Sequence, residues 1–211
     1  MEFLPEKLDK YIEDHTSPER DVLKALNRET HIKVQMPQML SGHVQGQVLR
    51  MFSQMIKPQY ILEIGTFTGY SAICLAAGLQ ENGKLVTLDI NDELEEMVRK
   101  YFSLSGLENK IDYRLGNALD IIPQLDFTFD IVFIDADKQN YSRYFDLVID
   151  KVKSGGFILA DNVLWSGKVV ENNPDKDTKA LLDFNAKVQA DERVENALFP
   201  VRDGIMVMRK K

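Results

Sequence analysis

Two carboxylates and one amide stand at the ends of two short apolar segments of this sequence. Asp135 follows residues 131–134, and Asp161 and Asn162 follow residues 157–160. If these segments are adjacent parallel strands, the three side chains meet at one edge of a sheet, because neighbouring strands lie only about 4.8 Å apart. Such an oxygen-only set suits Mg²⁺, Mn²⁺ or Ca²⁺ rather than zinc. For either segment alone, helix capping or turn formation is the better explanation of these polar residues. The two segments together favour a metal site.

Three further side chains near this cluster are candidates for chemistry. Lys138 lies on the same loop as Asp135, and a neighbouring cation would push it toward its neutral form, which can act as a general base. Without such a neighbour it would be a solvated loop lysine. Trp165 follows the cluster and is equally consistent with a lid or stacking wall for a flat substrate and with ordinary packing. His43, beside the glycine before a helix, is a candidate for the pocket wall.

A glycine turn, residues 65–69, connects the apolar segment 60–64 to an alanine-rich helix, and this arrangement is typical of a ligand cradle. Phe67 occupies the place of the second glycine of a dinucleotide fingerprint, and the Gly-Lys-Ser/Thr ending of a P-loop is missing. Glu63, just before the turn, suits a ligand that carries hydroxyls or a positive charge. Asp89 lies twenty-four residues after Gly65, close to the spacing at which an acid binds a ribose hydroxyl. The alternative for Asp89 is a helix N-cap, which Asn91 could also supply.

The elements that would position these residues alternate between strand and helix from residue 60 onward. Continuous apolar runs favour strands that are buried on both faces, as in a parallel sheet covered by helices. Asp203-Gly204 between two apolar segments indicates a closing hairpin. The predicted strands are 60–64, 84–89, 111–115, 130–135, 156–161, 194–201 and 205–208. The predicted helices among them are 71–79, 92–104, 119–125, 141–152 and 177–190.

The whole chain, residues 1–211, is predicted to be one domain in which residues 1–40 form a helical extension. A helix is expected to begin at Ser17-Pro18-Glu19, with the proline at its first position. The extension could serve as a dimer contact or as a lid. The single Cys74 excludes an internal disulfide, and it reads as a buried helix residue rather than a nucleophile.

Charge and composition limit the classes of partner and location. The net charge is −7 and the pI is about 5.1, so the overall charge of the protein does not favour binding to nucleic acid. No apolar run approaches a membrane span, and the N-terminal residues lack the apolar region of a secretory signal. We therefore expect a cytoplasmic protein with no membrane partner.

Four motifs in order resemble those of the cation-dependent class I O-methyltransferases, the family of the caffeoyl-CoA and catechol O-methyltransferases and their bacterial homologues. The motifs are LEIGTFTGYS (62–71), FIDADKQNY (133–141), DNVLW (161–165) and PVRDGI (200–205). The resemblance runs from about Met39 to the C-terminus. It implies a Rossmann-like α/β fold with a seven-stranded, mostly parallel sheet, an antiparallel C-terminal hairpin, and helices on both faces.

The resemblance also implies a donor, S-adenosylmethionine, and a role for each matching residue. The donor pocket would contain Ser41, Glu63, Gly65, Thr66, Ser71, Asp89, Ala118 and Asp135, with Asp89 on the ribose, Ala118 by the adenine and Ser41 at the methionine end. Asp135, Asp161 and Asn162 correspond to the metal ligands and Lys138 to the catalytic lysine. Met39, His43, Tyr141 and Trp165 would lie near the acceptor. Family members are often homodimers, so the resemblance also implies a homodimer.

Several functions remain as hypotheses. The first is Mg²⁺-dependent methylation of a catechol-like, hydroxylated aromatic small molecule. The second keeps this chemistry but makes the acceptor a hydroxylated tRNA base, 5-hydroxyuridine, against which the acidic net charge argues. A nucleotide-dependent oxidoreductase of the NAD type and a binding protein without turnover are the other classes. The segment before the fourth strand, residues 125–130, is shorter than in the plant enzymes, which argues against recognition of a coenzyme A ester.

Overall fold

A seven-stranded sheet forms the centre of the computed structural model, which describes residues 4–211. Its order is β3-β2-β1-β4-β5-β7-β6, with β1 to β5 parallel and β7 antiparallel to both of its neighbours. The sheet confirms the predicted fold. The strands are β1 Tyr60–Ile64, β2 Lys84–Asp89, β3 Ile111–Leu115, β4 Phe129–Ile134, β5 Val152–Ala160, β6 Val194–Phe199 and β7 Ile205–Lys210.

Eight α-helices are found in the described part of the chain. They are α1 Glu6–Asp14, α2 Asp21–Lys33, α3 Gly42–Ile56, α4 Tyr70–Ala76, α5 Glu95–Ser105, α6 Ala118–Ile121, α7 Tyr141–Val148 and α8 Lys176–Ala190. The predicted helix start at Pro18 is wrong, because α2 begins three residues later. Glu19 lies in the extended segment before α2, where its carboxylate accepts a hydrogen bond of 2.5 Å from the Tyr70 hydroxyl.

Helices cover both faces of the sheet, which explains why most side chains of its central strands are apolar. Successive side chains of a strand point to opposite faces. Ile61 of β1 therefore packs among α2 to α5, whereas Leu62 packs among α6 to α8. All six residues of β4 are buried. The core thus consists of two apolar layers with the sheet between them.

The N-terminal extension joins the core through α2 rather than standing apart. Leu23 and Leu26 are buried in the layer that contains α3 to α5, and the Thr30 hydroxyl lies 3.2 Å from that of Thr68 in the glycine turn. Helix α1, in contrast, contributes no buried residue. Residues 1–3 of the predicted extension lie outside the described residues.

The carboxyl ends of β1, β4 and β5 are aligned by backbone hydrogen bonds just beyond the strands. The Asp135 N–H donates to the Ile64 carbonyl at 2.9 Å, and the Asp161 N–H donates to the Ile134 carbonyl at 2.9 Å. The strand order reverses between β1 and β4, and ligands of such sheets bind in the crevice at this switch point. Within residues 4–211, no helix has the length and apolar composition needed to cross a bilayer.

Gly65 allows β1 to approach β4 at this point, and its replacement should be costly. A Cβ atom there would lie 1.9 Å from the Asp135 carbonyl oxygen, and the φ of 102° is also unfavourable for other residues. We expect Gly65→Ala to lower the free energy of unfolding by more than about 3 kcal/mol. Gly106→Ala is the matched control, because Gly106 has a φ of 73° but no atom within 4 Å of the added Cβ; it should cost about 1 kcal/mol. Urea unfolding measures both, and equal losses would contradict the steric argument.

Candidate active site

A cleft of about 1560 Å³ opens at the carboxyl ends of the strands, and it brings together most of the residues predicted to do chemistry. One part of its wall is formed by Ser41, Gly65, Thr66, Ser71, Asp89 and Ala118. The other part contains Met39, Asp135, Lys138, Asn162 and Trp165. The glycine turn and the oxygen cluster, which are seventy residues apart in the sequence, therefore face one cavity.

Asp89 at the end of β2 holds the glycine turn in place. Its Oδ2 accepts from the Phe67 N–H at 2.7 Å, and its Oδ1 accepts from the Asn91 N–H at 2.9 Å. Phe67 has a φ of 49°, in the left-handed region, so this hydrogen bond supports an unfavourable backbone conformation. Asn91, not Asp89, caps the following helical turn by accepting from the Glu93 N–H. Asp89 is partly exposed on the cleft wall, and each carboxylate oxygen can accept a further hydrogen bond.

Glu63 lies behind the cleft wall rather than on it, which corrects the expectation that it contacts a ligand. Its side chain is 0% exposed, and its Oε2 accepts from the Thr87 hydroxyl, which in turn lies 2.6 Å from the Thr66 hydroxyl. Burial raises the pKa of Glu63 to about 8, and the Ser71 and Thr87 hydroxyls oppose this shift. Glu63 is thus a neutral acid at pH 7. Within residues 4–211, its Oε1 has no hydrogen-bond partner.

The predicted oxygen cluster surrounds a positively charged side chain of the protein itself, the ammonium group of Lys138. The Lys138 ammonium donates to Asp135 Oδ1 at 3.1 Å and to Asn162 Oδ1 at 2.8 Å. Asn162 has a φ of 58°, a conformation that asparagine tolerates better than most residues. The geometry demonstrates that oxygens from the ends of two strands share one positive charge.

Asp161 lies beside Asp135 and Asn162, but its side chain is fully buried. Its Oδ2 accepts from Gln45 Nε2 at 2.5 Å, and its Oδ1 accepts from the Asn162 N–H at 2.8 Å. Burial and the nearby Asp135 carboxylate raise the pKa of Asp161 to about 7, while Gln45 and Lys138 oppose the shift. A positive charge near the two carboxylates would oppose this shift.

The donor set fits an oxygen-ligated divalent cation. In the described part of the chain, no group of three or more His, Cys, Asp and Glu residues is arranged to hold a metal, so the set of Asp135, Asp161 and Asn162 depends on an amide as its third ligand. Two carboxylates and one amide are hard ligands of the type that Mg²⁺ accepts. A divalent ion would compete with the Lys138 ammonium for the same oxygens.

Tyr141 lies beneath Lys138 and is not among the residues that line the cleft. Its ring is 0% exposed, and its hydroxyl lies 2.7 Å from Lys138 Nζ and 3.0 Å from the Asp161 carbonyl oxygen. Burial, together with the carboxylates of Asp135 and Asp161, raises the pKa of Tyr141 well above its usual value. The neutral phenol accepts from Lys138 and donates to the carbonyl.

Of the three other residues predicted to lie near the acceptor, two line the cleft and one does not. Trp165 and Met39 line the cleft, and Lys138 Nζ lies 5.7 Å from the centre of the Trp165 ring system. Trp165 also packs against the apolar layer of α6 to α8, so it combines both predicted roles. His43 is not among the residues that line the cleft, and its Nε2 lies 2.7 Å from the Ser17 carbonyl oxygen. The structure therefore does not place it on the pocket wall as predicted.

The sequence analysis assigned no role to two residues that lie at the site. Gln45 is 1% exposed on α3 and binds Asp161 across 116 positions of sequence. Arg202, in the turn between β6 and β7, lines the cleft and contacts both Gln38 and Gln45. An isolated glutamine in an amphipathic helix is indistinguishable from a surface residue until the helix is docked.

This fold and site define the class I methyltransferases, which combine a Rossmann-like sheet with an antiparallel C-terminal hairpin. A family model described as O-methyltransferase matches residues 13–211. Caffeoyl-CoA O-methyltransferase 1 of Eucalyptus globulus is 39% identical over 79% of this chain and 72% of its own length. A probable caffeoyl-CoA O-methyltransferase of Arabidopsis thaliana is 36% identical over 97% of this chain and 94% of its own.

A solved structure extends this similarity to three dimensions. The O-methyltransferase from Bacillus cereus in complex with SAH superposes with a TM-score of 0.90, at 29% identity over 97% of each chain. The chain belongs to the O-methyltransferase family. This membership excludes the oxidoreductase hypothesis.

Replacing Glu63 by glutamine should change how stability depends on pH. The folded protein holds the Glu63 proton up to a pKa of about 8, against 4.5 for the unfolded chain, so folding takes up a proton between these values. The free energy of unfolding of the wild type should therefore fall as the pH rises from 4.5 to 8, by an amount on the order of a few kcal/mol. Glu63→Gln should lack this component.

Urea unfolding at pH 5.5 and 8.5 measures the difference between the two proteins. Glu108→Gln, at an exposed position, is the control and should keep the pH dependence of the wild type. The same decline in Glu63→Gln as in the wild type would contradict the assignment of a neutral buried acid.

Proposed function

We propose that this chain transfers a methyl group from S-adenosylmethionine to one hydroxyl of a catechol-like aromatic acceptor, with the help of a divalent cation, Mg²⁺ being the first candidate. The observation that carries the proposal is the position of Lys138. Its ammonium group is shared by Asp135 and Asn162, beside Asp161, in the same cleft as the glycine turn. Family membership and the SAH complex of the Bacillus cereus relative support the reaction type and the donor.

The donor would lie along the glycine turn. Gly65 leaves backbone groups open to close approach, and Asp89 has free acceptor positions for the two hydroxyls of a ribose. Ala118, at the start of α6, offers a small apolar surface to the adenine, and Ser41 and Ser71 offer hydroxyls to the amino-acid end. Glu63 acts from behind, because its link to Thr87 and Thr66 connects β1, β2 and the turn.

The acceptor side requires one hydroxyl to lose a proton as its oxygen attacks the methyl carbon. A divalent cation held by Asp135, Asp161 and Asn162 would supply positive charge that lowers the pKa of a neighbouring hydroxyl. Lys138 lies at the same point, where its neutral amine would take the proton and its ammonium form, held by Tyr141, would stabilise the negative oxygen. Trp165 and Met39 provide apolar walls for a flat ring and limit the access of water. The carbon–sulfur bond breaks as the carbon–oxygen bond forms, which leaves S-adenosylhomocysteine.

Removal of the cation or of a ligand should abolish the reaction. We expect purified protein to form S-adenosylhomocysteine from caffeate or dihydroxybenzoate with Mg²⁺, and EDTA or Asp161→Ala to lower the rate by at least about 100-fold, since one hydrogen-bonded charge in a buried site contributes several kcal/mol. Asp146→Ala is the matched control, because Asp146 is an exposed carboxylate paired only with Lys187.

Several outcomes would contradict this proposal. Activity that survives both EDTA and Asp161→Ala would overturn the metal assignment. No turnover of any dihydroxy compound, together with loss of a methyl mark from tRNA hydroxyuridine in a deletion strain, would replace the small-molecule acceptor by tRNA.

We also propose that the chain forms a homodimer through an apolar patch on α3 and β6, consisting of Met51, Met55 and Phe199. The three side chains are 51%, 76% and 39% exposed. Phe52, on the same helix, packs edge-on against the Phe199 ring at 5.9 Å, which makes the two elements continuous. Contiguous exposed apolar surface of this kind marks interfaces between proteins.

A charge in this patch should separate the subunits. Met55→Glu is expected to halve the mass measured by light scattering after gel filtration, because a carboxylate buried in an apolar interface is costly. Val170→Glu, at a position that is 86% exposed and outside the patch, should leave the mass unchanged. A monomeric wild type would refute the dimer.

A further inference from the structure

Arg202 stands at the mouth of the cleft in a conformation that its backbone disfavours. It lies in the turn between β6 and β7, lines the cleft, and is exposed. Its φ is 51°, in the left-handed region, where glycine is the favoured residue. The turn alone would favour glycine at this position. The presence of an arginine side chain therefore needs another explanation.

The guanidinium group of Arg202 is only partly used by the protein. Nη2 donates to the Gln38 carbonyl at 2.5 Å, and Nη1 donates to Gln45 Oε1 at a long 3.4 Å. Among residues 4–211, no carboxylate forms an ion pair with it within 4.0 Å. A guanidinium has five N–H donors, so three of them remain available. A guanidinium with free N–H donors on a cleft wall attracts an anion, and arginine matches the planar fork of a carboxylate.

Hydrogen bonds connect Arg202 to the place where the reacting end of the acceptor would lie. Gln45 joins the two places, because its Oε1 accepts from Arg202 while its Nε2 donates to Asp161. One amide group and two hydrogen bonds therefore separate the guanidinium from Asp161. The apolar walls formed by Met39 and Trp165 belong to the same cleft.

We propose that Arg202 binds a free carboxylate at the far end of the acceptor, so that the preferred acceptor is a dihydroxyphenyl carboxylic acid. This inference rests on the proposed methyl transfer and deepens it. A neutral catechol would leave the guanidinium without a partner, and an acyl chain esterified at its carboxyl group would remove the charge that it binds. In a protein of net charge −7, an acidic acceptor needs such a local positive group.

The test compares two ligands that differ in one charge. Caffeic acid and its primary amide share the ring, both hydroxyls and the side-chain length, but only the acid is an anion at pH 7. Isothermal titration of the protein loaded with S-adenosylhomocysteine and Mg²⁺ gives a dissociation constant for each. We expect the wild type to prefer the acid by about 10- to 100-fold, which corresponds to one hydrogen-bonded charge pair.

Arg202→Gly removes the guanidinium and also suits the backbone, because glycine adopts a φ of 51° without strain. The preference for the acid should fall to less than about 2-fold in this variant. Arg202→Lys keeps the charge but loses the planar fork, so an intermediate preference is expected. Loss of the Gln38 contact affects both ligands equally and cancels in the ratio. Arg209→Gln is the control, since Arg209 pairs with Glu195 away from the cleft and its replacement should leave the preference unchanged.

Equal binding of acid and amide by the wild type would overturn the inference, and so would an undiminished preference in Arg202→Gly. Because titration needs no turnover, these outcomes are separate from the fate of the proposed function. A preference for the acid without methyl transfer would leave Arg202 as an anion site and refute only the reaction. Methyl transfer to acid and amide with equal kcat/KM would retain the reaction and refute the role of Arg202.

Discussion

The close contact between the first residue of the glycine turn and the end of β4 determines the rest of the site. Gly65 lies so near the Asp135 carbonyl that a Cβ atom would not fit between them. The turn that would hold the donor and the loop that carries Asp135 and Lys138 are therefore adjacent, and the hydrogen bond from Asp161 to β4 adds the next strand to the same edge. In-line transfer between two bound molecules depends on such fixed proximity, which provides a large part of the rate enhancement in reactions of this kind.

The sheet and the composition of the site could be predicted because both depend on short-range patterns. Strands such as β4 are apolar at all positions but one, and Asp135 and Asp161 mark the carboxyl ends of β4 and β5. Two patterns were misleading. Pro18 has the form of a helix start, but Glu19 makes its hydrogen bond with Tyr70 from an extended segment, and the helix begins only at Asp21. Burial also outweighed residue type for Glu63 and Tyr141, which have the chemistry of ligand-contacting groups but lie beneath the cleft.

Residues that act through long-range contacts were beyond sequence reasoning. Gln45 reaches Asp161 only because α3 docks on the sheet edge, and nothing in the local sequence distinguishes it from Gln47 two positions later. The role of α2 is of the same kind. Thr30 contacts Thr68 within the glycine turn, so a helix outside the recognised motifs stabilises the loop that would hold the donor.

Helix α1 differs from the rest of the molecule in a way that concerns the kinetics of access. Its neighbour Leu4 and its own Asp9 line the cleft, yet none of its residues is buried. The free energy that holds a segment closed comes mainly from the apolar surface it buries, so α1 has little to prevent local opening. A molecule that enters or leaves the cleft can displace α1 without disturbing the packed layers or the sheet. The rate of exchange at the mouth of the cleft is thereby separated from the stability of the fold, and the protein can be rigid at the reacting atoms while its entrance opens readily.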